Sequence, residues 1–209
     1  MKELMKAVWF LTLISLGLLS ACSTASPYEK LVEAELDKNV RNDSLFLGLT
    51  MGMDKKGFYE ACWELNKQGL VRQGSGNESV RYELDELPHK ATLNFYPKFE
   101  DEKVIAMPCV FVYEGWAPWN EELFGSKMAL DIQKMFMDWY GGNEFIEIID
   151  PTKGLAYYKI DGNRQITMLP QDELVRVLIK DLTVESNRNP VRLKIPENKP
   201  KNPVNRDSL

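Results

Sequence analysis

The side chains that carry most enzyme chemistry are sparse in this 209-residue chain. It has one histidine, His89 in the stretch LPHKA, and three cysteines, Cys22, Cys62 and Cys109. A catalytic triad needs a histidine beside a nucleophile and an orienting acid, and no spacing in this sequence indicates that set. Sequence motifs for zinc, for phosphate or for a nucleophile elbow are also missing. The sequence therefore predicts no catalytic residue, no metal and no cofactor, and indicates a surface or turn position for His89.

Carboxylates are plentiful, and they cluster at Glu100–Glu102, at Glu121 and Glu122, and at Glu144 and Glu147. A glycosidase needs two carboxyl groups about 5 to 10 Å apart across a sugar-binding cleft. Closeness in sequence does not indicate such a cleft, and acidic loops usually face water. Hydrolysis by a pair of carboxylates is therefore kept only as an alternative function.

The stretch YEGWAPWNEE is the strongest candidate for a surface that binds a ligand or a partner. Trp116 and Trp119 flank an Ala-Pro turn, so we expect at least one of the two rings to face solvent. Exposed aromatic rings stack on sugars or anchor protein interfaces, and Tyr113 would extend such a surface. The alternative is a loop whose tryptophans fold back over the edge of a sheet.

Cys62 and Cys109 allow two arrangements. Cys62 falls on the apolar stripe of a predicted helix, and Cys109 falls in an apolar strand that this helix is expected to cover. In an exported protein the pair would be able to form a disulfide that closes a loop of roughly 48 residues and adds about 4 kcal/mol. The sequence favours the other arrangement, in which both are buried, unreactive thiols.

The third cysteine follows an apolar N-terminal stretch. A basic start precedes thirteen uncharged residues, Ala7–Leu19, which span roughly 20 Å as a helix and fall short of a bilayer core of roughly 30 Å. This pattern is typical of a secretory signal. Leu19-Ser20-Ala21-Cys22 resembles the lipobox of bacterial lipoproteins. The resemblance implies that residues 1–21 are removed and that the Cys22 sulfur carries a diacylglyceryl thioether.

The same resemblance implies a location. Two or three acyl chains anchor a protein firmly, because each buried methylene contributes about 0.8 kcal/mol. Ser23 stands where, in some bacteria, an aspartate would favour the inner membrane. We therefore expect membrane lipid to be a partner and the outer membrane to be the location.

Charge is distributed unevenly along the chain. Residues 22–187 contain 18 basic and 28 acidic side chains, whereas the tail, residues 188–209, contains six basic and two acidic ones. An acidic body lacks the release of counterions that drives nucleic-acid binding, so nucleic acid is excluded as a partner. The tail fits anionic lipid, peptidoglycan or an acidic protein, or is only a solvated end. Its four prolines rule out a long helix and favour an extended, partly disordered end.

Two helix-then-strands patterns follow the polar tether. Helical spacing predicts a helix over 54–68, which Asp54 caps and Gly69 ends. A second helical pattern runs from Asn120, the expected cap, to a stop at Gly141 and Gly142. The predicted strands are 79–84, 91–97 and 103–114, then a hairpin about Asp161-Gly162 and a strand within 172–182, where a helix is the alternative.

This order predicts an α+β domain in which helices cover one face of an antiparallel sheet. The stretch LGLTMGMDKKGFYEAC resembles small lipoproteins of the SmpA/OmlA type and the β-lactamase-inhibitor-protein-like fold, whose units place a Gly-Met turn before a helix and then a hairpin or sheet. The resemblance implies the same fold class. The expected organisation is a signal at 1–21, a tether and arm at 22–43, a domain at 44–187 with units 44–115 and 116–187, and the tail.

These observations predict a lipid-anchored envelope protein whose domain binds or scaffolds without catalysis. Its expected partners are envelope proteins or peptidoglycan. The alternative is a hydrolase acting on envelope polymers, and a third reading is a structural lipoprotein that adheres through its basic tail.

Overall fold

The structure is a computed structural model, and it describes residues 26–74, 79–150 and 154–184. The signal pattern with Cys22 and the basic tail lie outside these residues, so the lipid anchor stays a prediction. The chain divides into two compact units, Met1–Ala34 and Glu35–Leu209, so residues 35–43 of the predicted tether and arm belong to the larger unit. Within the described ranges, every helix is too short or too polar to cross a bilayer.

The described residues form three α-helices and nine strands. The helices are α1 (Pro27–Asp37), α2 (Lys55–Lys67) and α3 (Gly125–Tyr140), and a short 3-10 helix spans Glu121–Leu123. The strands are β1 (Val71–Gln73), β2 (Val80–Leu84), β3 (Ala91–Phe95), β4 (Lys98–Glu100), β5 (Lys103–Tyr113), β6 (Ile146–Asp150), β7 (Gly154–Asp161), β8 (Arg164–Pro170) and β9 (Val175–Asp181).

The strands make one open antiparallel sheet in the order β1-β2-β3-β5-β9-β8-β7-β6, with β4 paired to β5 beside this path. The last strand in sequence, β9, lies between β5 of the predicted 44–115 unit and β8 of the predicted 116–187 unit. The two helix-then-strands units therefore share a single sheet. The predicted α+β class is confirmed.

Both large helices lie on the same face of the sheet. The register pairs Leu93 with Phe111 and Phe111 with Val175, which places these three side chains on one face. Phe58 of α2 and Phe136 of α3 belong to the same buried cluster as these strand residues. The predicted arrangement, with helices on one face of an antiparallel sheet, is confirmed.

Local signals set the ends of α1 and α2. At the start of α1, the Ser26 hydroxyl accepts from the Glu29 amide, and the Glu29 carboxylate accepts from the Ser26 amide, which makes a capping box. In α2, Asp54 accepts a hydrogen bond from the Gly57 amide at 2.6 Å, as its predicted capping role requires. Gly69 follows α2 with φ at +75°, so the predicted glycine stop is also confirmed.

The second predicted helix begins later than expected. Asn120, the expected cap, precedes the 3-10 helix and makes no capping hydrogen bond through its side chain. α3 begins at Gly125, with Phe124 in the capping position. A Cβ at Gly125 would lie 1.9 Å from the carbonyl oxygen of Gln171 in the β8–β9 connection. The Asn120 cap is therefore wrong: α3 has no side-chain cap, and its first amide, that of Gly125, donates instead to the Asp172 carbonyl at 3.0 Å.

The predicted hairpin and final strand are both present. β7 and β8 pair up to Asp161 and Arg164, and the two-residue loop between them begins with Gly162 at φ +54°. A glycine at the first loop position is typical of a type II′ turn, whose twist matches that of the strands. Residues 172–182 contribute β9, so the strand interpretation of this segment is correct and the helix is not formed.

Candidate functional site

An open cavity of about 330 Å³ is the candidate functional site. Its walls are the chain turn at residues 44–48, Tyr82 of β2, Glu86 just after β2, and Trp139 near the end of α3. Small-molecule sites usually have volumes of about 300 to 1,000 Å³, with apolar walls and a few placed polar groups. We call this cavity the turn pocket.

The turn at the pocket wall holds a strained leucine. Ser44 and Thr50 form an isolated antiparallel bridge, and the Leu49 amide donates to the Phe46 carbonyl at 3.0 Å. The two residues between Phe46 and Leu49 both have positive φ, with Leu47 at +55°. Such a backbone conformation in a non-glycine residue costs about 1 to 3 kcal/mol and recurs at ligand-binding positions. Burial of the neighbouring Leu45, Phe46 and Leu49 in the core offsets this cost.

Tyr82 and Glu86 supply the polar edge of the pocket. The Tyr82 hydroxyl donates to the Glu86 carboxylate at 3.4 Å. Burial of the ring, and then the nearby Glu86 charge, raise the pKa of Tyr82, so the phenol keeps its proton and acts as a donor. Glu86 itself is exposed. The pocket is therefore lined by aromatic and aliphatic residues together with polar groups and one negative charge.

Polar contacts from α3 and β8 hold the turn in place from behind. Arg164 donates from Nη1 to the Ser44 carbonyl at 2.9 Å, and the Tyr140 hydroxyl donates to the Leu45 carbonyl at 3.0 Å. The Arg164 guanidinium also lies 4.0 Å from the centroid of the Tyr140 ring, a cation–π contact. Burial is the main cause that raises the pKa of Tyr140, so this hydroxyl also stays protonated.

Arg164 belongs to a group of charges around the β7–β8 hairpin, which we call the ionic cluster; five of its members are buried, whereas Arg41 and Asp43 lie at its solvent-exposed side. Its members are Glu35, Arg41, Asp43, Lys159, Asp161, Arg164 and Asp181. Lys159 is fully buried, and its ammonium donates to the carbonyls of Gly141 and Asn143 at 2.5 Å each. The same ammonium lies 2.8 Å from the Asp161 carboxylate. Lys159 thus makes two hydrogen bonds to backbone carbonyls and one ion pair to Asp161 inside the protein.

The Asp161–Gly162–Asn163 turn contacts residues 38–43, which connect α1 to the pocket turn and are the part of the predicted tether and arm that we call the arm from here on. The Asn163 side chain accepts from the Asn42 amide at 2.6 Å and donates to the Asp43 carboxylate at 3.0 Å. The chain approaches so closely that a Cβ on Gly162 would lie 2.2 Å from the Val40 carbonyl oxygen. The hairpin turn therefore requires glycine for this contact as well as for its positive φ.

Two buried carboxylates complete the cluster. Glu35 accepts from the Gly162 amide at 3.0 Å and from the Asn143 side chain at 2.7 Å. Asp181 accepts from Arg41 at 2.9 Å and from the Thr183 amide at 2.8 Å. Burial alone would raise the pKa of each carboxyl group, but hydrogen bonds outweigh burial and lower the pKa of both. Both are therefore ionised, and the cluster positions the pocket turn.

The predicted aromatic surface is not assembled. Tyr113 is 1 % exposed and its hydroxyl donates to Asp131 at 2.9 Å, so its assignment to a surface is wrong. The Trp116 ring lies against Phe124, and its Nε1 donates to the Asp172 carbonyl at 3.1 Å. Only Trp119, at 85 % exposed, faces solvent as the binding hypothesis requires. Side chains of β5 alternate between the two faces of the sheet, and this alternation directs Tyr113 towards the core.

The remaining predicted positions are separate from the pocket. Cys62 and Cys109 are both free thiols, so the alternative disulfide is not formed in the structure. Burial raises the pKa of Cys62 to about 11 and that of Cys109 further, which leaves both unreactive at neutral pH. His89 is exposed, with its ring centroid 5.2 Å from that of Tyr113.

The acidic stretches lie in turns and at surfaces. Asp101 and Glu102 form the tight turn between β4 and β5, with φ at 48° and 59°. Glu121 and Glu122 are exposed on the 3-10 helix, and Glu144 is also exposed. Within the described ranges, no three side chains of the His, Cys, Asp or Glu type converge as a metal site would require.

Both the turn pocket and the ionic cluster were missed by the sequence analysis. Three members of the cluster, Lys159, Asp161 and Arg164, lie in the stretch YKIDGNRQ, where the sequence indicated only a hairpin. The one available signal is an unusual density of charge beside that Asp-Gly turn. In comparisons with known proteins, the chain matches no family model, no curated protein and no solved structure.

Proposed function

We propose that this protein is a lipid-anchored protein of the cell envelope whose domain binds a partner without catalysis, and that the turn pocket is its binding site. The observation that carries the proposal is the chemistry of the pocket. Trp139 and Tyr82 contribute aromatic walls, residues 45–47 contribute apolar ones, and Glu86 contributes a carboxylate. Among the described residues that line the pocket, none is cationic.

This combination favours an apolar group that carries a positive charge. Aromatic rings attract cations through their electron-rich faces, and a carboxylate beside them adds a direct ion pair. The basic side chains or amines of an envelope protein, and the free amines of peptidoglycan, have this chemistry. The net charge of −10 over residues 22–187 would also favour the approach of a cationic partner.

The arrangement around the pocket supports binding by a preformed site. The ionic cluster and Tyr140 fix the carbonyls of Ser44 and Leu45, so the wall does not have to be ordered when a ligand arrives. Preorganisation of this kind lowers the entropic cost of binding. The charges of the cluster are already paired with one another and with backbone groups. We therefore assign them the role of holding the pocket wall, and not that of binding the ligand.

The pocket is tested with two small probes that differ in charge, phenethylamine and phenylacetate, by calorimetric titration of the purified protein. We expect the amine to bind at least about tenfold more tightly, which corresponds to about 1.4 kcal/mol. Glu86→Gln should remove most of this preference. Glu122→Gln, which removes an exposed carboxylate elsewhere on the surface, should leave it unchanged. Equal binding of the two probes, or an unchanged preference in Glu86→Gln, would contradict the assignment.

The partner is tested in cells with a photo-reactive residue at position 44, on the rim of the pocket. We expect an adduct with an envelope component that Glu86→Gln loses and Glu122→Gln retains. An adduct that is equally strong in both variants would place the contact outside the pocket.

The anchor is tested separately with Cys22→Ser. We expect the variant to leave the membrane fraction and to lose the incorporation of labelled fatty acid. Unchanged fractionation with no fatty acid incorporated in the parent chain would overturn the anchor and leave the pocket assignment standing.

A further inference from the structure

The strand β6, Ile146–Asp150, ends the sheet with an unpaired side. Among the described residues it pairs only with β7. Alternate residues of an edge strand direct their N–H and C=O groups away from the sheet, which makes such an edge a template for another strand. The opposite edge is β1, which has only three residues. β6 is therefore the longer open edge.

β6 has few of the features that usually protect an edge, apart from its two acidic residues. Its sequence, IEIID, contains neither lysine nor proline, and three of its five residues are isoleucine. Ile149 is 75 % exposed, and Ile146 and Ile148 are half-buried. Because an apolar open edge of this kind promotes aggregation, it is normally covered by another segment.

The sequence of this chain contains a segment that matches the edge. Val191–Ile195 reads VRLKI, so apolar and basic residues alternate with the period of a strand, and Pro190 and Pro196 bound it. Proline cannot donate in a ladder, so a strand here would be limited to five residues, which is the length of β6. These residues lie outside those that the structure describes.

We propose that the edge of β6 is a strand-docking surface and that its occupant is Val191–Ile195 of the same chain. In the pairing that matches the ends, Arg192 lies opposite Glu147 and Leu193 lies opposite Ile148. An opposite-charge pair and an apolar pair then fall on the two faces of the strand, and cross-strand pairs of both kinds stabilise sheets. The guanidinium of Arg192 would thereby lie beside the exposed carboxylate of Glu147 in β6.

The connection is long enough to make this pairing. β9 ends at Asp181, and the register places that end beside the β7–β8 turn. β6 begins at the same end of the sheet, because Ile146 pairs with Tyr158 near the end of β7. The lateral distance from β9 to the new position, four strand spacings, is about 19 Å. Residues 182–190 span up to about 30 Å when extended, so the tail reaches the edge and runs parallel to β6.

The pairing is tested by disulfide trapping in cells that express the full chain with Ile149→Cys and Lys194→Cys. The proposed register places these two positions opposite each other. Mild oxidation should link them within one chain, as shown by a cross-linked peptide from a band at monomer mass. The matched control is Ile149→Cys with Lys201→Cys, which lies beyond Pro196 and should link at least about tenfold less.

The other outcomes each have a defined meaning. A disulfide-linked dimer with the same cysteine pair would show that a second copy supplies the strand, and would overturn the assignment to the same chain. Equal linkage in the control would show only random encounters, and would overturn the docking surface. If neither cysteine pair formed a disulfide, the docking surface would likewise be overturned.

Hydrogen exchange provides a readout that needs no cysteine. In the purified protein, amides of residues 147–149 should exchange at least about tenfold faster when the chain is truncated after residue 189. Glu147→Lys should have a similar effect, and adding Arg192→Glu should restore protection. Protection that is the same in the full and truncated chains would contradict the proposal.

Discussion

The sheet carries two networks of charged side chains, and their surroundings differ. The ionic cluster lies on the face that the helices cover, and its Lys159 and Asp161 are almost completely buried. A second group, which we call the exposed network, lies on β1 and β2, just before β3 and just after β5. Its members are Arg72, Arg81, Glu83, Lys90 and Glu114, and their side chains are 32 % to 65 % exposed.

Similar ion pairs therefore have different roles within one sheet. An exposed pair contributes about 0 to 1 kcal/mol, since water solvates the charges nearly as well as the partner does. Removing one partner of a buried pair costs about 3 to 5 kcal/mol, because an uncompensated charge stays inside the protein. The ionic cluster therefore fixes the arm and the pocket turn, whereas the exposed network adds little to their position.

The largest expected effect is that of Lys159→Met. The substitution removes the ion-pair partner of the Asp161 carboxylate and the donor to two backbone carbonyls. We expect the free energy of unfolding to fall by about 3 to 5 kcal/mol, measured by urea denaturation. In the exposed network, Arg81→Met is the matched control and should cost at most about 1 kcal/mol.

A double variant tests whether the loss of stability comes from the unpaired buried charge. Lys159→Met combined with Asp161→Asn removes both charges, so it should recover part of the stability that the single variant loses. A loss in Lys159→Met that is no larger than that in Arg81→Met would mean that the buried ammonium is dispensable.

The contact between the hairpin and the arm is tested by Gly162→Ala. The new methyl group would meet the Val40 carbonyl oxygen, and the backbone would keep its positive φ. Gly115→Ala is the control, because Gly115 has φ at +79° but has open space around its Cβ position. Strain alone costs about 1 to 2 kcal/mol at either position, so Gly162→Ala should lose at least about 1 kcal/mol more. Equal losses in the two variants would show that the arm yields without cost.

The sequence predicted the elements whose signals are local. The helix α2 was predicted from Asp54, its apolar spacing and Gly69, and the β7–β8 hairpin from Asp161-Gly162. Each of these signals lies within or next to the element that it predicts, so residues close in sequence are enough to form the element. The short strands β1 and β4 were missed because three residues are too few to show a period.

The candidate site was not predictable by the same means. The ionic cluster is buried because Asn42 and its neighbours reach Asn163 from 121 positions away, and no local pattern encodes that contact. Residue type alone likewise placed Tyr113 on a surface, although its position in β5 directs it inward. Long-range packing decided both outcomes.

Acid should weaken the ionic cluster through Asp181 and Glu35. The pKa of each carboxyl group is lowered in the folded protein, so each stabilises the fold above its unfolded pKa of about 4. That contribution is lost as the pH falls through the folded pKa. The difference in unfolding free energy between the parent chain and Asp181→Asn should therefore be largest near pH 6 and shrink towards pH 3. Trp119→Ala, which removes no titratable group, should show a difference that does not depend on pH.

The smallest effect concerns salt, and it separates the two networks most directly. At 1 M salt the screening length falls to about 3 Å, which weakens interactions between exposed charges much more than those between buried ones. The cost of Arg81→Met, already at most about 1 kcal/mol, should therefore approach zero when urea denaturation is repeated with added sodium chloride. The cost of Lys159→Met should stay within about 0.5 kcal/mol of its low-salt value, since Lys159 is fully buried. If salt instead reduced both costs equally, water and ions would have to reach the ionic cluster, and the distinction between the two networks would fail.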